Sequence, residues 1–253
     1  MVTTTELYDE AHNRLQKAGN DHTKTLIEKM FLANTWANVC SILSAEMDTP
    51  EDKSEIQTKI INGFSCVLVK AGTINCGNGK KITVEKDFWC AIYPVTRGQW
   101  SSHMNESCAN TGDIVPKVNI NCYEATEFAE RVGGRLLTET EWEFAARGGI
   151  YTHNYHFAGS DNLDEVGWYK DNSGDEIHEV GQKKPNELGI YDMCGNVWEW
   201  TSSLCEDLKS YGVVRGGGWG IYSQYCCVAT HNIHSLSDCS DSLGFRIAFD
   251  LDF

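Results

Sequence analysis

Over the first sixty residues the apolar positions recur at helical spacing. Leu7, Ala11 and Leu15 share one face after the capping-box start Thr3-Thr4-Thr5-Glu6, and Gly19-Asn20 ends that run. Leu26, Met30, Ala33, Ala37 and Ile42 continue near helical spacing. Pro50-Glu51 then opens a third helix carrying Ile56, Ile60 and Ile61. Three short amphipathic helices seldom enclose a core alone, so residues 1–62 are expected to be a helical N-terminal extension packed on a main domain of residues 63–253.

At Phe64 the period shortens. Phe64 to Ile74 reads as a strand ending in a turn, with further strands at Lys81–Val84 and Phe88–Ile92. Pro94 to Trp100 starts a short helix. A better one runs from Asn121 to Arg131: Asn121 caps it, Glu124 completes a capping box, Ala125, Phe128 and Ala129 form the inner face, and Gly133-Gly134 ends it. Thr138 and Glu141 make a second box, with Trp142, Ala145 and Ala146 turned to the core. The following stretch, roughly forty residues up to Leu188, is rich in Gly, Asp, Asn and His and has little period; so long an irregular segment is functional or held by ligands such as a metal ion. Beyond it Trp198 and Trp200 share one face and Glu199 takes the other. A buried carboxylate there needs a partner, for which Arg135, Arg147 or a calcium ion bound by Asn196 and Glu199 are the candidates.

The tail from Val214 to Asp250 is built differently. It opens with Arg215-Gly216-Gly217-Gly218-Trp219 and closes with Leu243-Gly244-Phe245-Arg246-Ile247-Ala248, where Phe245, Ile247 and Phe249 alternate with Arg246, Ala248 and Asp250 as in a half-buried strand. Between them, His231 to Ser242 has neither period and reads as a loop. From Tyr225 onward there is no Lys, Glu, Gln, Met or Trp, types that make up about a fifth of the whole chain.

A chain of 253 residues holds one good core with room for a small appendage. Its net charge of −15 argues against nucleic acid and anionic membrane surfaces as partners. No apolar run reaches membrane-helix length, so membrane insertion is not expected. Met1-Val2-Thr3 lacks the start of a signal peptide; the chain as written is expected in the cytoplasm, and at the cell surface only after removal of a leader. The 11 cysteines, Cys226-Cys227 adjacent among them, show no Cys-x-x-Cys or paired Cys/His spacing, which speaks against zinc; one or two disulfides at most are expected.

Val95-Thr96, Gly134-Arg135-Leu136, Thr138 to Gly149, Tyr191 to Thr201, Arg215-Gly216-Gly217 and Gly244-Phe245-Arg246, in that order, resemble the formylglycine-generating enzyme (sulfatase-modifying factor) family over residues 64 to 250. The resemblance implies an α+β, C-type-lectin-like fold with long irregular loops. It also implies chemistry by two cysteines, copper ligands spaced five residues apart after Arg-Gly-Gly. In this chain those positions hold Ile221 and Cys226, and isoleucine cannot ligate copper(I). No catalytic residue is therefore assigned. His153, His156 and His178 show no spacing that marks the iron-binding set of the related sulfoxide synthases.

The tail is also similar to the variable proteins of diversity-generating retroelements, treponemal ones in particular, which share the fold. There, mutagenesis of adenines in adenine-adenine-pyrimidine codons yields a set that cannot encode the five missing types. The resemblance implies a fixed frame of Arg215, Gly216, Gly217, Trp219, Cys226, Val228, Gly244, Phe245 and Arg246, with Gln224 also fixed. The diversified, ligand-binding candidates are Gly220, Ile221, Tyr222, Tyr225, His231, Asn232, Ile233, His234, Asp238, Cys239, Ser240, Asp241 and Ser242; Cys227 and Ser235 go to neither set. The expected function is a non-catalytic display protein that binds an unidentified protein or cell-surface ligand, with no cofactor beyond a structural calcium. The rivals are a copper-dependent oxidase or related oxygenase and a calcium-dependent carbohydrate binder, the latter without its usual Glu-Pro-Asn or Gln-Pro-Asp triplet.

Overall fold

A computed structural model describes residues 56–76, 79–104 and 113–251. The helices expected before residue 56 lie outside the described residues.

The chain enters its sheet by a hairpin. Strands β1 (Thr58–Ile61) and β2 (Phe64–Val69) pair antiparallel across Asn62-Gly63, both at positive φ (46° and 88°), the backbone that a two-residue hairpin turn demands. This corrects the third helix. Ile60 is exposed and Ile61 buried, the alternation of a strand, and β1 puts residues ahead of 63 in the main domain. The expected strand from Phe64 to Ile74 is two. At Lys70-Ala71 the chain turns, with Asp87 accepting from Ala71 N (2.7 Å) and Lys70 Nζ (3.0 Å), and β3 (Gly72–Asn75) leaves to pair with β4 (Lys81–Val84).

β5 (Phe88–Ala91) returns beside β2. Helix α1 (Arg97–Met104) follows, then α2 (Cys122–Arg131) and α3 (Glu139–Ala146), separated by the short β6 (Arg135–Leu136). Both expected capping boxes are present, Asn121 with Glu124 and Thr138 with Glu141. The irregular segment contains a 3-10 turn (Gly149–Tyr151), α4 (Leu163–Val166) and β7 (Gly167–Trp168), the last parallel to β8 (Cys194–Gly195). Buried Asn186 pins its far end: its amide donates to Ala145 O and Ala146 O, the open end of α3, and its carbonyl accepts from Leu188 N and Ile190 N.

The four-stranded sheet has the order β11-β10-β9-β12, from β9 (Trp198–Leu204), β10 (Tyr211–Arg215), β11 (His231–Ser235) and β12 (Leu243–Phe245). The stretch expected to be a loop thus begins with a strand. Its residues are all polar but Ile233 because it is an edge, exposed or half-buried throughout, and pairing with β10 rather than a buried face fixes it. At Arg246 the chain changes sheets: β13 (Ile247–Asp250) inserts between β5 and β6 in the five-stranded sheet β1-β2-β5-β13-β6. The closing strand is therefore buried on both faces up to Phe249, not half-buried. Among the described residues no helix is long and apolar enough to cross a membrane.

Candidate functional site

Two buried arginines bracket the tail. Arg215, at the end of β10, donates from Nη2 to Glu143 Oε2 (2.9 Å) and Val228 O (2.8 Å) and from Nη1 to Ala229 O (3.3 Å), with Trp142 beneath its guanidinium. It thereby ties the loop after Cys226 to α3. Burial works against the Glu143 carboxylate, but Arg215, Lys80 and Arg147 around it hold its pKa below the ordinary glutamate value. Arg246 is fully buried and spends every nitrogen: Nε and Nη2 on Glu199 (3.1 and 2.8 Å), Nη1 on Ala91 O and Ile92 O (2.9 and 2.8 Å), Nη2 also on Tyr191 O (2.7 Å). Among the arginines, the Glu199 partner is thus Arg246, rather than Arg135 or Arg147. Trp142 Nε1 takes the remaining valence of Glu199 Oε2 at 2.7 Å. Arg135 pairs with Glu141 and Asp250, and Arg147 with Glu143. Asn196 is engaged elsewhere: its side chain accepts from His178 N and donates to His178 O.

Between the arginines the backbone is shaped by Gly216 and Gly217, at φ 96° and 80°. A Cβ on Gly217 would lie 2.5 Å from Cys226 Sγ, so only glycine lets the turn close over that cysteine. Cys226 is buried and its thiol is pushed up to about 12, chiefly by desolvation. Trp219 is the junction of the site: its N–H donates to Asn196 O, its carbonyl accepts from Ser173 Oγ, and its indole N–H donates to Asp241 O at 3.2 Å.

None of the thirteen candidate positions is buried. Gly220, Ile221, Ile233, His234, Ser240 and Ser242 are half-buried; His231, Asn232, Asp238, Cys239 and Asp241 are exposed, as are Tyr222 at 54% and Tyr225 at 47%. Of the fixed positions, Trp219 is half-buried and Gln224 exposed, and the rest are buried. Trp219 brings the 220–222 turn against Asp241 and Ser242, and His234 meets Asp238 at 3.6 Å. His231 stands apart from these. Its Nδ1 lies 3.0 Å from Glu139 at the mouth of a cleft of about 330 Å³ lined by Lys80, Ile82, Thr140 and Arg215.

Sequence reasoning missed Lys170. It comes from the irregular segment, donates its N–H to Ile221 O, and places Nζ 3.2 Å from the Tyr222 hydroxyl and 4.4 Å from its ring centre. No period or motif marks it. The three histidines of that segment do not converge. His153 pairs with Glu187, His156 packs on Phe157, and His178 stacks on Trp168 with its Nε2 against Ser173 O. Among the described residues no group of three or more His, Cys, Asp or Glu is arranged to hold a metal ion. The nine described cysteines are free thiols.

These features have counterparts in known proteins. The chain is 29% identical to the chaperone protein LppX of Paenibacillus barcinonensis, over 60% of this chain and 78% of that one. It is 32% identical to the inactive C-alpha-formylglycine-generating enzyme 2 of Bos taurus over 53% of this chain, which spans about half the length of the bovine protein (50%). Treponema denticola variable protein 1 superposes with a TM-score of 0.66 at 23% identity, over 79% of this chain and 99% of that structure. The fold is thus α+β and C-type-lectin-like, of the formylglycine-generating-enzyme type. Residues 52–251 match the sulfatase-modifying factor enzyme 1-like domain, and the chain belongs to that family.

Proposed function

We propose that this chain is a non-catalytic display protein whose region from about residue 214 to 250 is diversified by a retroelement and binds varied protein or cell-surface targets. One observation carries the reading: none of the thirteen candidate variable positions is buried, while the fixed positions from Arg215 to Arg246 are buried except for Trp219 and Gln224. A scaffold arranged in this way tolerates change at the surface without losing its core, because most surface substitutions move stability by less than about 0.5 kcal/mol. Tyr222 and Tyr225 serve as rigid aromatic anchors, and His, Asn, Ser and Asp supply adaptable polar contacts. The residues present do not fit the copper pair of the family's enzymes: Ile221 has no donor atom, and Cys226 is a buried thiol enclosed by Gly217.

The deciding experiment is genomic. The DNA beside the gene is expected to hold a reverse transcriptase and a near-copy of the last hundred or so bases that differs mainly at adenines. A flanking region without them sinks the diversification half of the reading. A second reading, a formylglycine-type oxidase, is favoured by one feature, the retention of Cys226 at one of the two catalytic positions. Oxygen consumption with copper and a cysteine-containing peptide tests it. No turnover is expected; turnover abolished by Cys226→Ala overturns the display reading.

A further inference from the structure

The four-stranded sheet ends on β11, and parity decides which of its main-chain groups face outward. Leu236 N donates to Ser210 O at 3.0 Å, one step beyond the Tyr211↔Ser235 pair, so even-numbered residues here turn their N–H and C=O toward β10. Those of His231, Ile233 and Ser235 point away from it. Asp238 closes off Ser235 in both directions, accepting from its N–H at 3.1 Å and donating to its carbonyl at 2.8 Å. Asn232 Oδ1 covers Ile233 N at 2.9 Å. Among the described residues nothing donates to the outward carbonyls of His231 and Ile233.

The geometry points to strand addition: an extended segment of the target pairs antiparallel with His231 and Ile233, displaces the Asn232 side chain, and stops at the Asp238 turn. This deepens the display reading and rests on it for the identity of the target. Its appeal is physical. Substitution replaces the side chains of a diversified strand but leaves its backbone, so main-chain bonds give every version of the surface a common base affinity, and the side chains choose the sequence. The field of the whole chain sets the guest. The cleft at the His231 end mixes Glu139 and Glu143 with Lys80, Lys81 and Arg215, Asp238 stands at the other end, and the net charge of −15 favours a basic segment. Position 232 acts as a gate, since a short polar residue there caps the free donor and an apolar one leaves it open.

The test uses a displayed random-peptide library selected on the full chain. The best peptide is then remade with N-methyl groups on the residues facing β11, and separately with the same groups moved one residue along. Losing a main-chain bond across the edge should weaken binding about tenfold or more for the first form, while the second stays within about twofold of the parent. In the chain, Ile233→Pro removes the outward donor and should lose about as much, whereas Ile233→Val should not. Amide protection on binding should rise at His231 and Ile233. Equal weakening by the two N-methyl forms, protection confined to Tyr222 and Tyr225, or a library that yields no binder each overturns strand addition. None of these touches the display reading, which the flanking DNA and the turnover assay decide separately.

Discussion

Arg246→Met is the sharpest test of how the scaffold is held. The substitution keeps an unbranched side chain in the same space and deletes five hydrogen bonds at once. Glu199, wholly buried, is left with Trp142 Nε1 as its one remaining partner. Breaking a buried ion pair from one side costs roughly 3–5 kcal/mol, a large part of a domain's stability of about 5–15 kcal/mol. The bonds from the guanidinium to the carbonyls of Ala91, Ile92 and Tyr191 go as well, so the upper end of that range is expected. Adding Glu199→Met should recover part of the loss, but not all of it. The buried charge is then gone, yet the guanidinium's bonds to the three carbonyls and the Trp142–Glu199 bond are not restored. Urea unfolding of the four proteins of this cycle, at constant m, gives the numbers. If Arg246→Met costs less than about 1 kcal/mol, or the double variant matches the parent, the guanidinium is not what satisfies this junction.

Three other outcomes follow from the same geometry. Asp192 is buried, its Oδ1 has no hydrogen-bond partner among the described residues, and desolvation pushes its carboxyl up to about 6. Its folded value lies above the unfolded one, so its contribution is complete below about pH 4 and is lost as pH rises to about 6, some 3 kcal/mol in all. Asp192→Asn keeps an acceptor for Gly181 N and suits the positive φ of 58°; its stability relative to the parent should climb by up to that amount between about pH 4 and pH 7, and a flat difference refutes the assignment. Gly217→Ala should cost about 2–3 kcal/mol in thermal or urea unfolding, and Cys226→Ala in the same chain should relieve only the contact, not the backbone strain. Tyr222→Ser should cost no more than about 1 kcal/mol, the worth of its exposed contact with Lys170; a loss above about 2 kcal/mol would make the residue part of the core.

What the sequence disclosed was mainly local. Capping boxes at Asn121 and Thr138 were legible because cap and partner lie three residues apart; the exposed Tyr222 and Tyr225 were singled out only through the resemblance. The Asn62-Gly63 turn was present in the chain, but the isoleucines before it also fit a helical period, and only pairing with β2 decides between them. β11 gave no signal, because an exposed edge strand has no apolar face to set a period of two. The partner of Glu199 was misjudged because sequence distance does not decide it: Arg135 and Arg147, 64 and 52 residues before it, were weighed, while the true partner lies 47 residues after it and is selected only by the fold. Lys170 illustrates the same limit within the site, since contact across 52 residues leaves no trace in local pattern.

The passage of the chain at Arg246 from one sheet into the middle of the other has a consequence for how the protein is made. β13 fills the gap between β5 and β6, and Arg246 ties in the carbonyl of Ala91, made 155 residues earlier. Until residues 246–249 have left the ribosome, the first sheet lacks an interior strand and cannot close. Whatever side chains the surface of the tail carries, the strand after Arg246 must therefore be in place before the fold can close. A shift of the reading frame upstream of Leu243 leaves the sheet open and fit for proteolysis.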